Sequence, residues 1–113
     1  MKLLSIFIEN KSGTLLKVLE LFKESGIQLI ASTIADTEGY GIYRIICSEP
    51  GRAYTTLKEA GISVALSDVF AITLDNEPGR AADAVRILTK EGIGITYMYS
   101  FLIGGRGILV FRT

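Results

Sequence analysis

The sequence is poor in the residues that carry most catalytic and metal chemistry. It has no histidine and one cysteine among 113 residues. Without histidine, imidazole acid–base catalysis and metal sites with histidine ligands are excluded. The one cysteine, Cys47, cannot form a disulfide within the chain, which favours a reducing compartment. We predict that Cys47 is a small core residue, because no histidine is present to activate it as a nucleophile.

A surplus of charge and long apolar runs are also missing. Twelve basic residues balance twelve acidic ones, whereas a nucleic-acid partner requires a positive field around the protein. The apolar stretch Leu3–Ile8 is too short for the core of a signal peptide, and no run approaches the roughly 20 residues of a transmembrane helix. No cysteine pair, dense carboxylate cluster or glycine-rich nucleotide motif is present. We therefore expect a cytoplasmic protein without catalytic residues, metal or cofactor, and without a nucleic-acid or membrane partner.

Hydrophobic periodicity predicts an alternation of strands and helices. Apolar residues at every second position predict a strand, and apolar residues at i, i+3, i+4 and i+7 predict the buried stripe of a helix. Glycines after the helical stretches are typical helix ends, and Ser48 is expected to cap the second helix. The predicted elements are a strand at 4–8, a helix at 15–25, strands at 27–35 and 42–47, a helix at 50–60 and a strand at 62–66.

The same pattern begins again near residue 69 with a constant offset of 66 positions. The offset pairs Asn10 with Asn76 and Gly13 with Gly79, and the apolar stripes of the two helices superpose without a gap. Nothing in the second copy matches residues 48–66 of the first. The pattern indicates an internal duplication, with a complete first unit at 1–67 and an incomplete second unit at 68–113. The second unit is predicted to have a strand at 69–74, a helix at 81–91 and strands at 93–103 and 107–112.

This order of elements predicts an α+β fold of the ferredoxin-like type. A βαββαβ unit with right-handed crossovers forms a four-stranded antiparallel sheet in the order 4-1-3-2, with both helices on one face. The second copy contributes only βαββ, so its first strand, Val69–Leu74, would have an open edge. Unpaired edges and uncovered apolar faces bind other chains, and we therefore expect a homodimer or a higher homo-oligomer.

Two stretches carry the repeat most clearly, FIENKSGTLLKVLELFKESGIQL and ITLDNEPGRAADAVRILTKEGIGI. Each has a strand–turn–helix–glycine pattern that resembles the ACT domain, a small regulatory βαββαβ module that binds amino acids. The second stretch is the closer match, because Pro78 precedes Gly79 where the first copy has Ser12. With YMYSF at Tyr97–Phe101, the whole chain resembles small stand-alone proteins made of two fused ACT units. The resemblance implies a non-catalytic regulatory module that binds a small amino acid.

The resemblance also implies a ligand site where the turn before the first helix of one unit faces the second strand of a neighbouring unit. The first turn of a helix suits a carboxylate, and a glycine there allows close approach. Asparagine can bond both charged groups of an amino acid, although it is also a common cap and turn former. Arg80 would hold a carboxylate, or it is a solvated surface residue. The implied ligand-binding residues are Asn10, Ser12, Gly13, Thr14, Leu29, Ile30, Ser32, Asn76, Pro78, Gly79, Arg80, Met98, Tyr99 and Ser100.

Three other functions fit the same topology. One is a pure dimerisation module without a ligand. An acylphosphatase-like hydrolase resembles this fold too, but it has an arginine in the loop after its first strand, and ENKSG has none. A single-stranded RNA binder would stack bases on Tyr97, Tyr99 and Phe101, which share one strand face, but the chain has no net charge to attract RNA. The alternation leaves open whether that face, or the face of Met98 and Ser100, packs against the core.

Replacing Asn76 separates its two candidate roles as a turn former and a ligand contact. If the amide contacts the amino acid, Asn76→Ala weakens binding by more than it lowers the free energy of unfolding. Calorimetric titration and urea unfolding of the variant and the parent measure the two effects. Equal binding by the two proteins would exclude Asn76 from the site.

Overall fold

A computed structural model describes residues 1–9, 11–37, 40–75 and 77–113, and of residues 11, 12, 36, 37 and 103 it describes the backbone. The chain divides into two compact units, Lys2–Ser67 and Asp68–Thr113, and Met1 groups with the second. The first unit contains β1 (Lys2–Ile8), α1 (Lys11–Ser25), β2 (Leu29–Thr37), β3 (Tyr40–Cys47), α2 (Pro50–Glu59) and β4 (Val64–Asp68). The second contains β5 (Phe70–Asp75), α3 (Arg80–Lys90), β6 (Tyr97–Ile103) and β7 (Arg106–Arg112).

The first unit is built on a four-stranded sheet with its strands in the order β2-β3-β1-β4, which confirms the predicted order. The register of β1 against β3 pairs Leu4 with Ile45 and Ile6 with Tyr43 in an antiparallel ladder. Alternate residues of a strand share a face, so these side chains lie together under the two helices. The core consists of apolar residues from the strands, the helices and the segments that follow the helices: Leu4, Ile6, Ile8, Val18, Phe22, Ile27, Tyr43, Ile45, Cys47, Ala53, Leu57, Ile62 and Val64.

The second unit repeats the first part of this architecture. Its three antiparallel strands lie in the order β5-β7-β6, which corresponds to β1-β3-β2 of the first unit. The helix α3 packs on one face of this sheet through Ala84, against Leu109 and Phe111 of β7. β5 lies at an edge of the sheet. The fold is therefore the predicted α+β arrangement of a βαββαβ unit and a βαββ unit.

Each helix that the structure describes ends in the same hydrogen-bonded motif, which consists of a glycine followed by an isoleucine. The φ angles of Gly26, Gly61 and Gly92 are 67°, 78° and 72°, in the left-handed region. In this Schellman motif the residue after the glycine donates its N–H to the carbonyl five positions earlier. The donor–acceptor pairs are Ile27 to Phe22 at 2.9 Å, Ile62 to Leu57 at 3.0 Å and Ile93 to Leu88 at 3.0 Å.

The strands after these helices begin later than the sequence predicts. β2 starts at Leu29 instead of residue 27, β4 at Val64 instead of residue 62, and β6 at Tyr97 instead of residue 93. At the first position of each predicted strand, the isoleucine gives its one backbone N–H to the end of the preceding helix. That N–H is then not available for a sheet ladder at the same position.

Ser48 does not cap α2 as predicted. The residue at the N-cap position is Glu49, and it makes no side-chain hydrogen bond to the helix. The Ser48 hydroxyl instead accepts a hydrogen bond from the backbone N–H of Gln28 at 3.0 Å, and the Ser48 N–H donates to the Gln28 carbonyl at 2.9 Å. Ser48 thus joins the end of β3 to the segment before β2.

The two turns that look alike in the sequence differ in structure. α1 already begins at Lys11 and runs through Gly13, whereas α3 begins only at Arg80. Gly79 has a φ of 88°, which a right-handed helix cannot contain, and Gly13 has no positive φ. The residue before a proline is also biased away from the helical region, so Pro78 keeps Glu77 out of the helix. Ser12 imposes no such restriction on Lys11.

The equivalent core residues of the two units are buried to different extents. Ile6 of β1 is fully buried, because α2 lies over β1 in the first unit. Its equivalent Ile72 on β5 is only partly buried. Ile87 on α3 and Phe70 on β5 are 65% and 57% exposed. The α3 side of the second sheet is thus an apolar surface that is partly open to solvent.

Arg52 links the start of α2 to the end of α1 in the first unit. Arg52 in the first turn of α2 forms a salt bridge with Glu49 and donates a hydrogen bond to the Ser25 carbonyl at the end of α1, at 2.7 Å. The bond from Arg52 lowers the pKa of the Glu49 carboxyl. Cys47 lies in the core with 6% of its surface exposed, and burial raises the pKa of its thiol. In the described part of the chain, no helix has the length and apolar character needed to cross a membrane.

The difference in burial between Ile6 and Ile72 predicts unequal costs of the same truncation. Ile6→Ala is expected to lower the free energy of unfolding by about 2–5 kcal/mol, the range for a fully buried isoleucine. Ile72→Ala is expected to cost less, because part of that side chain already contacts water. Urea unfolding of both variants measures the difference, and an equal or larger loss for Ile72→Ala would contradict it.

The left-handed φ of Gly79 predicts a backbone penalty for any other residue there. Gly79→Ala is expected to lower the free energy of unfolding by about 1–2 kcal/mol, since alanine is strained in this region. Gly51→Ala is the matched control, because Gly51 lies within α2 and nothing is within 4 Å of an added Cβ. That control is expected to be neutral or to stabilise by up to about 1 kcal/mol. Thermal or urea unfolding of the two variants gives both values, and a neutral Gly79→Ala would contradict the assignment.

Candidate functional site

A cleft of about 280 Å³ lies in the second unit beside the first turn of α3. Its rim carries Asp75 at the end of β5, Glu77 in the turn, and Arg80 at the start of α3. Ser100 of β6 contributes a hydroxyl group from the sheet. The cleft therefore combines a cation, carboxylates and a neutral hydroxyl at the end of a small sheet.

The floor of the cleft comes from one face of the three-stranded sheet. The register aligns Leu74 of β5, Gly107 of β7 and Leu102 of β6 in one cross-strand row. The next row on the same face contains Leu109 and Ser100. Because Gly107 has no side chain, a gap separates the two leucines of the first row. Apart from the Ser100 hydroxyl the floor is thus apolar, and it has a depression at Gly107.

Arg80 is held between two carboxylates at the rim. Its Nε lies 3.4 Å from Asp75 Oδ2, and its Nη1 lies 3.4 Å from Asp83 Oδ2. Asp83 also accepts a hydrogen bond from Arg86 Nη1 at 3.1 Å. The side chains of Arg80 and Asp75 are 45% and 71% exposed. Exposed ion pairs of this kind contribute little to stability, so a ligand carboxylate can displace Asp75 from the guanidinium at a small cost.

The structure brings together only some of the residues predicted for the second unit. Arg80 and Ser100 line the cleft, whereas Pro78 and Gly79 do not. Gly79 acts as the N-cap residue of α3. Asn76 lies outside the described residues.

The faces of β6 are also determined by the register. Ser100 pairs with Leu109, which packs against Ala84 of α3, so Ser100 and Met98 lie on the helix side of the sheet. Met98 is 44% exposed and is not part of the cleft lining. Tyr99 lies on the opposite face together with Tyr97 and Phe101, and these three aromatic residues are half-buried. Half-buried rings are poor platforms for stacked bases, which speaks against the RNA-binding alternative.

In the first unit the predicted residues do not converge in one cavity. Thr14 lines a groove of about 330 Å³ with Glu9 and Lys17, and residues 29–32 of β2 do not line that groove. Lys17 donates a hydrogen bond to the Ala60 carbonyl at 3.1 Å.

The remaining residues predicted for the first unit lie apart from this groove. Asn10 and the side chain of Ser12 lie outside the described residues, and Gly13 is within α1. On β2, Ile30 is 45% exposed, and Leu29 is partly buried against the core. Ser32 Oγ accepts a hydrogen bond from the Tyr43 hydroxyl at 3.1 Å.

Of the described residues that line the cleft, only Arg80 and Ser100 were in the sequence-based set, and the missing ones include Asp75, Gly107, Leu74 and Leu102. Asp75 immediately follows the apolar alternation of β5, and Gly107 is the repeat equivalent of Gly41, so both had a signal in the sequence. Leu74 and Leu102 look like ordinary strand residues, and only the register shows that they flank Gly107. Among the side chains that the structure describes, no cluster of cysteine, aspartate and glutamate could hold a metal ion.

The sequence matches a family model described as an ACT domain pair over residues 1–113. Protein BT0572 from Bacteroides thetaiotaomicron has a similar crystal structure, with a TM-score of 0.92 and 42% identity, covering 98% of this chain and 77% of that chain. The regulatory subunits of aspartate kinase from Thermus thermophilus, in a ligand-free form, and Thermus flavus have TM-scores of 0.71 and 0.69. Each is 14% identical and covers 98% of this chain and 82% of that chain, which shows a shared fold. A search of curated proteins gave no significant match.

The family match agrees with the duplicated βαββ pattern, the order of the strands in both sheets, and the glycine at the start of α3. Because the match extends over residues 1–113, this protein belongs to the ACT domain pair family.

Proposed function

We propose that this protein is a regulatory module that binds a small amino acid without catalysing a reaction, and that the ligand occupies the cleft beside Arg80. The observation that carries the proposal is the meeting of Arg80 and Ser100 in one cavity with an apolar floor. Ligand sites in proteins are concave, mostly apolar and equipped with a few polar groups that fix orientation. The part played by a strand of a neighbouring unit remains a prediction.

The charges at the rim are complementary to those of an amino acid. The Arg80 guanidinium would bind the ligand's α-carboxylate through charge-assisted hydrogen bonds, which are stronger than neutral ones. The Asp75 carboxylate, which lies 3.4 Å from Arg80 Nε, would bind the α-ammonium group. Ser100 would supply one further hydrogen bond. A dissociation constant in the micromolar range suits a metabolite sensor with this number of contacts. It corresponds to a binding free energy of about −8 kcal/mol.

A regulatory rather than catalytic role is supported by the relatives. Two solved structures with the same fold are regulatory subunits of aspartate kinase. The sequence has no histidine, and its one cysteine lies in the core of the first unit. The proposal is therefore that binding itself is the signal, which the protein passes on through its contacts with other chains.

A pure dimerisation module is the second candidate, and the open surface of the second unit favours it. β5 lies at the edge of its sheet, and Phe70 and Ile87 are more than half exposed on the same unit. Exposed apolar surface and unpaired strand edges bind other chains. Assembly as a homodimer or higher homo-oligomer in the cytoplasm is part of our proposal, and it is compatible with ligand binding.

Thermal unfolding with each of the twenty amino acids at millimolar concentration tests the proposal. A ligand present at 100 times its dissociation constant stabilises the folded state by about 2.7 kcal/mol, which raises Tm by several degrees for a chain of this size. Arg80→Met is expected to weaken binding about 10- to 100-fold, the effect of losing a hydrogen bond to a charged group.

Arg86→Met is the matched control, because Arg86 also bonds Asp83 from α3 but does not line the cleft. It should leave the Tm shift unchanged. A shift that is equal in Arg80→Met and the parent would place the ligand elsewhere. No shift with any amino acid, from folded protein, would favour the dimerisation module.

A further inference from the structure

We propose that the amino acid bound in this cleft is a neutral one with an apolar side chain, and that Gly107 sets the size of that side chain. The inference rests on the proposed function, because it concerns the ligand of the same cleft. It assigns the α-carboxylate and α-ammonium groups to the charged rim and the side chain to the floor.

The charged groups of the cleft all come from one short segment, residues 75–80. Arg80, Asp75 and Glu77 belong to the start of α3 and to the segment before it, and Ser100 is the polar side chain on the sheet side. Arg80 and Asp75 suffice for the two charges that every amino acid carries. Toward the sheet, a ligand side chain meets leucines, and a charged group buried there would lose its hydration without gaining a partner.

The depression at Gly107 is shaped for an apolar group. Leu74 and Leu102 flank Gly107 in the same cross-strand row, and Leu102 is 65% exposed. A ligand side chain placed over Gly107 would contact both leucines and remove apolar surface from water, which is the main driving force for binding. The cleft volume of about 280 Å³ is at the lower end of ligand pockets, which fits a single amino acid.

The local structure does not require a glycine at position 107. The φ of Gly107 is outside the left-handed region, and a Cβ built there would meet the Leu74 carbonyl oxygen at 3.8 Å and the Leu74 Cβ at 4.0 Å. These are ordinary van der Waals distances, so a Cβ is accommodated without strain. A glycine inside a strand weakens it and often marks a place where a ligand comes close to the backbone. What Gly107 provides is therefore space.

The first experiment measures ligand preference by calorimetric titration of the full chain. The panel contains leucine, isoleucine, valine and methionine as apolar amino acids, and lysine, arginine, aspartate and glutamate as charged ones. We expect at least one apolar amino acid to bind at least tenfold more tightly than every charged one, with binding weakened by Arg80→Met. Tighter binding of a charged amino acid that still depends on Arg80 would overturn this inference and leave the proposed function standing. No binding by any of these eight would overturn this inference, and the proposed function would then be decided by the thermal unfolding with all twenty amino acids.

The second experiment places a side chain in the depression by substituting Gly107. Gly107→Leu is expected to weaken binding of the preferred amino acid at least tenfold, and Gly107→Ala to shift the preference toward a smaller side chain. Gly94→Leu is the matched control, because Gly94 also lacks a left-handed φ, has nothing within 4 Å of an added Cβ and lies outside the cleft. It should bind like the parent.

If Gly107→Leu fails to fold, Leu102→Gln tests the same contact, because an exposed position tolerates glutamine. It is expected to weaken binding of the apolar amino acid about tenfold, while circular dichroism shows an unchanged fold. If Gly107→Leu or Leu102→Gln binds the amino acid as tightly as the parent does, the ligand side chain does not lie on this floor.

Discussion

The hydrogen bond from an isoleucine N–H back into the end of each helix is the constraint on which both units depend. It stops the helix and redirects the chain. In the first unit Ile27 and Ile62 are both buried against the residues to which their amides are bonded. Because the left-handed glycine before each isoleucine fixes the direction of the next segment, the motif sets where β2, β4 and β6 can begin. The sheets, and hence the cleft at the end of the second sheet, follow from it.

Two units with the same pattern differ physically in the elements over the sheet and in the start of the first helix. The first has α2 over its sheet, and its core closes around fully buried residues such as Leu57. The second has a smaller core and keeps apolar surface in contact with water. At the start of the helix the difference comes from Pro78 and a left-handed Gly79, where the first unit continues its helix through Ser12 and Gly13. The two copies of the pattern thus differ in that the first has a closed core and the second has an apolar surface partly open to solvent.

Much of the fold could be predicted because it is encoded locally. The period-two runs, the helical stripes and the offset between Gly13 and Gly79 sufficed for the order of strands in both sheets. The exact starts of the strands could not be predicted, since they depend on whether an isoleucine amide bonds the helix or the sheet. For the candidate site, the resemblance was enough to predict Arg80 as a ligand-binding residue. The placement of Leu74 and Leu102 on either side of Gly107 depends on the register of three strands. No local pattern contains that register.

The position of the single thiol gives the chain an internal probe of motion. Cys47 is the only cysteine in the sequence, and it lies at the end of β3 with 6% of its surface exposed. A reagent in solution can reach it only when the first unit opens, and the second unit has no thiol to compete. The rate of labelling therefore follows the opening of one half of the protein alone. The opening of the first unit can therefore be followed in the unaltered sequence, separately from any opening of the second unit.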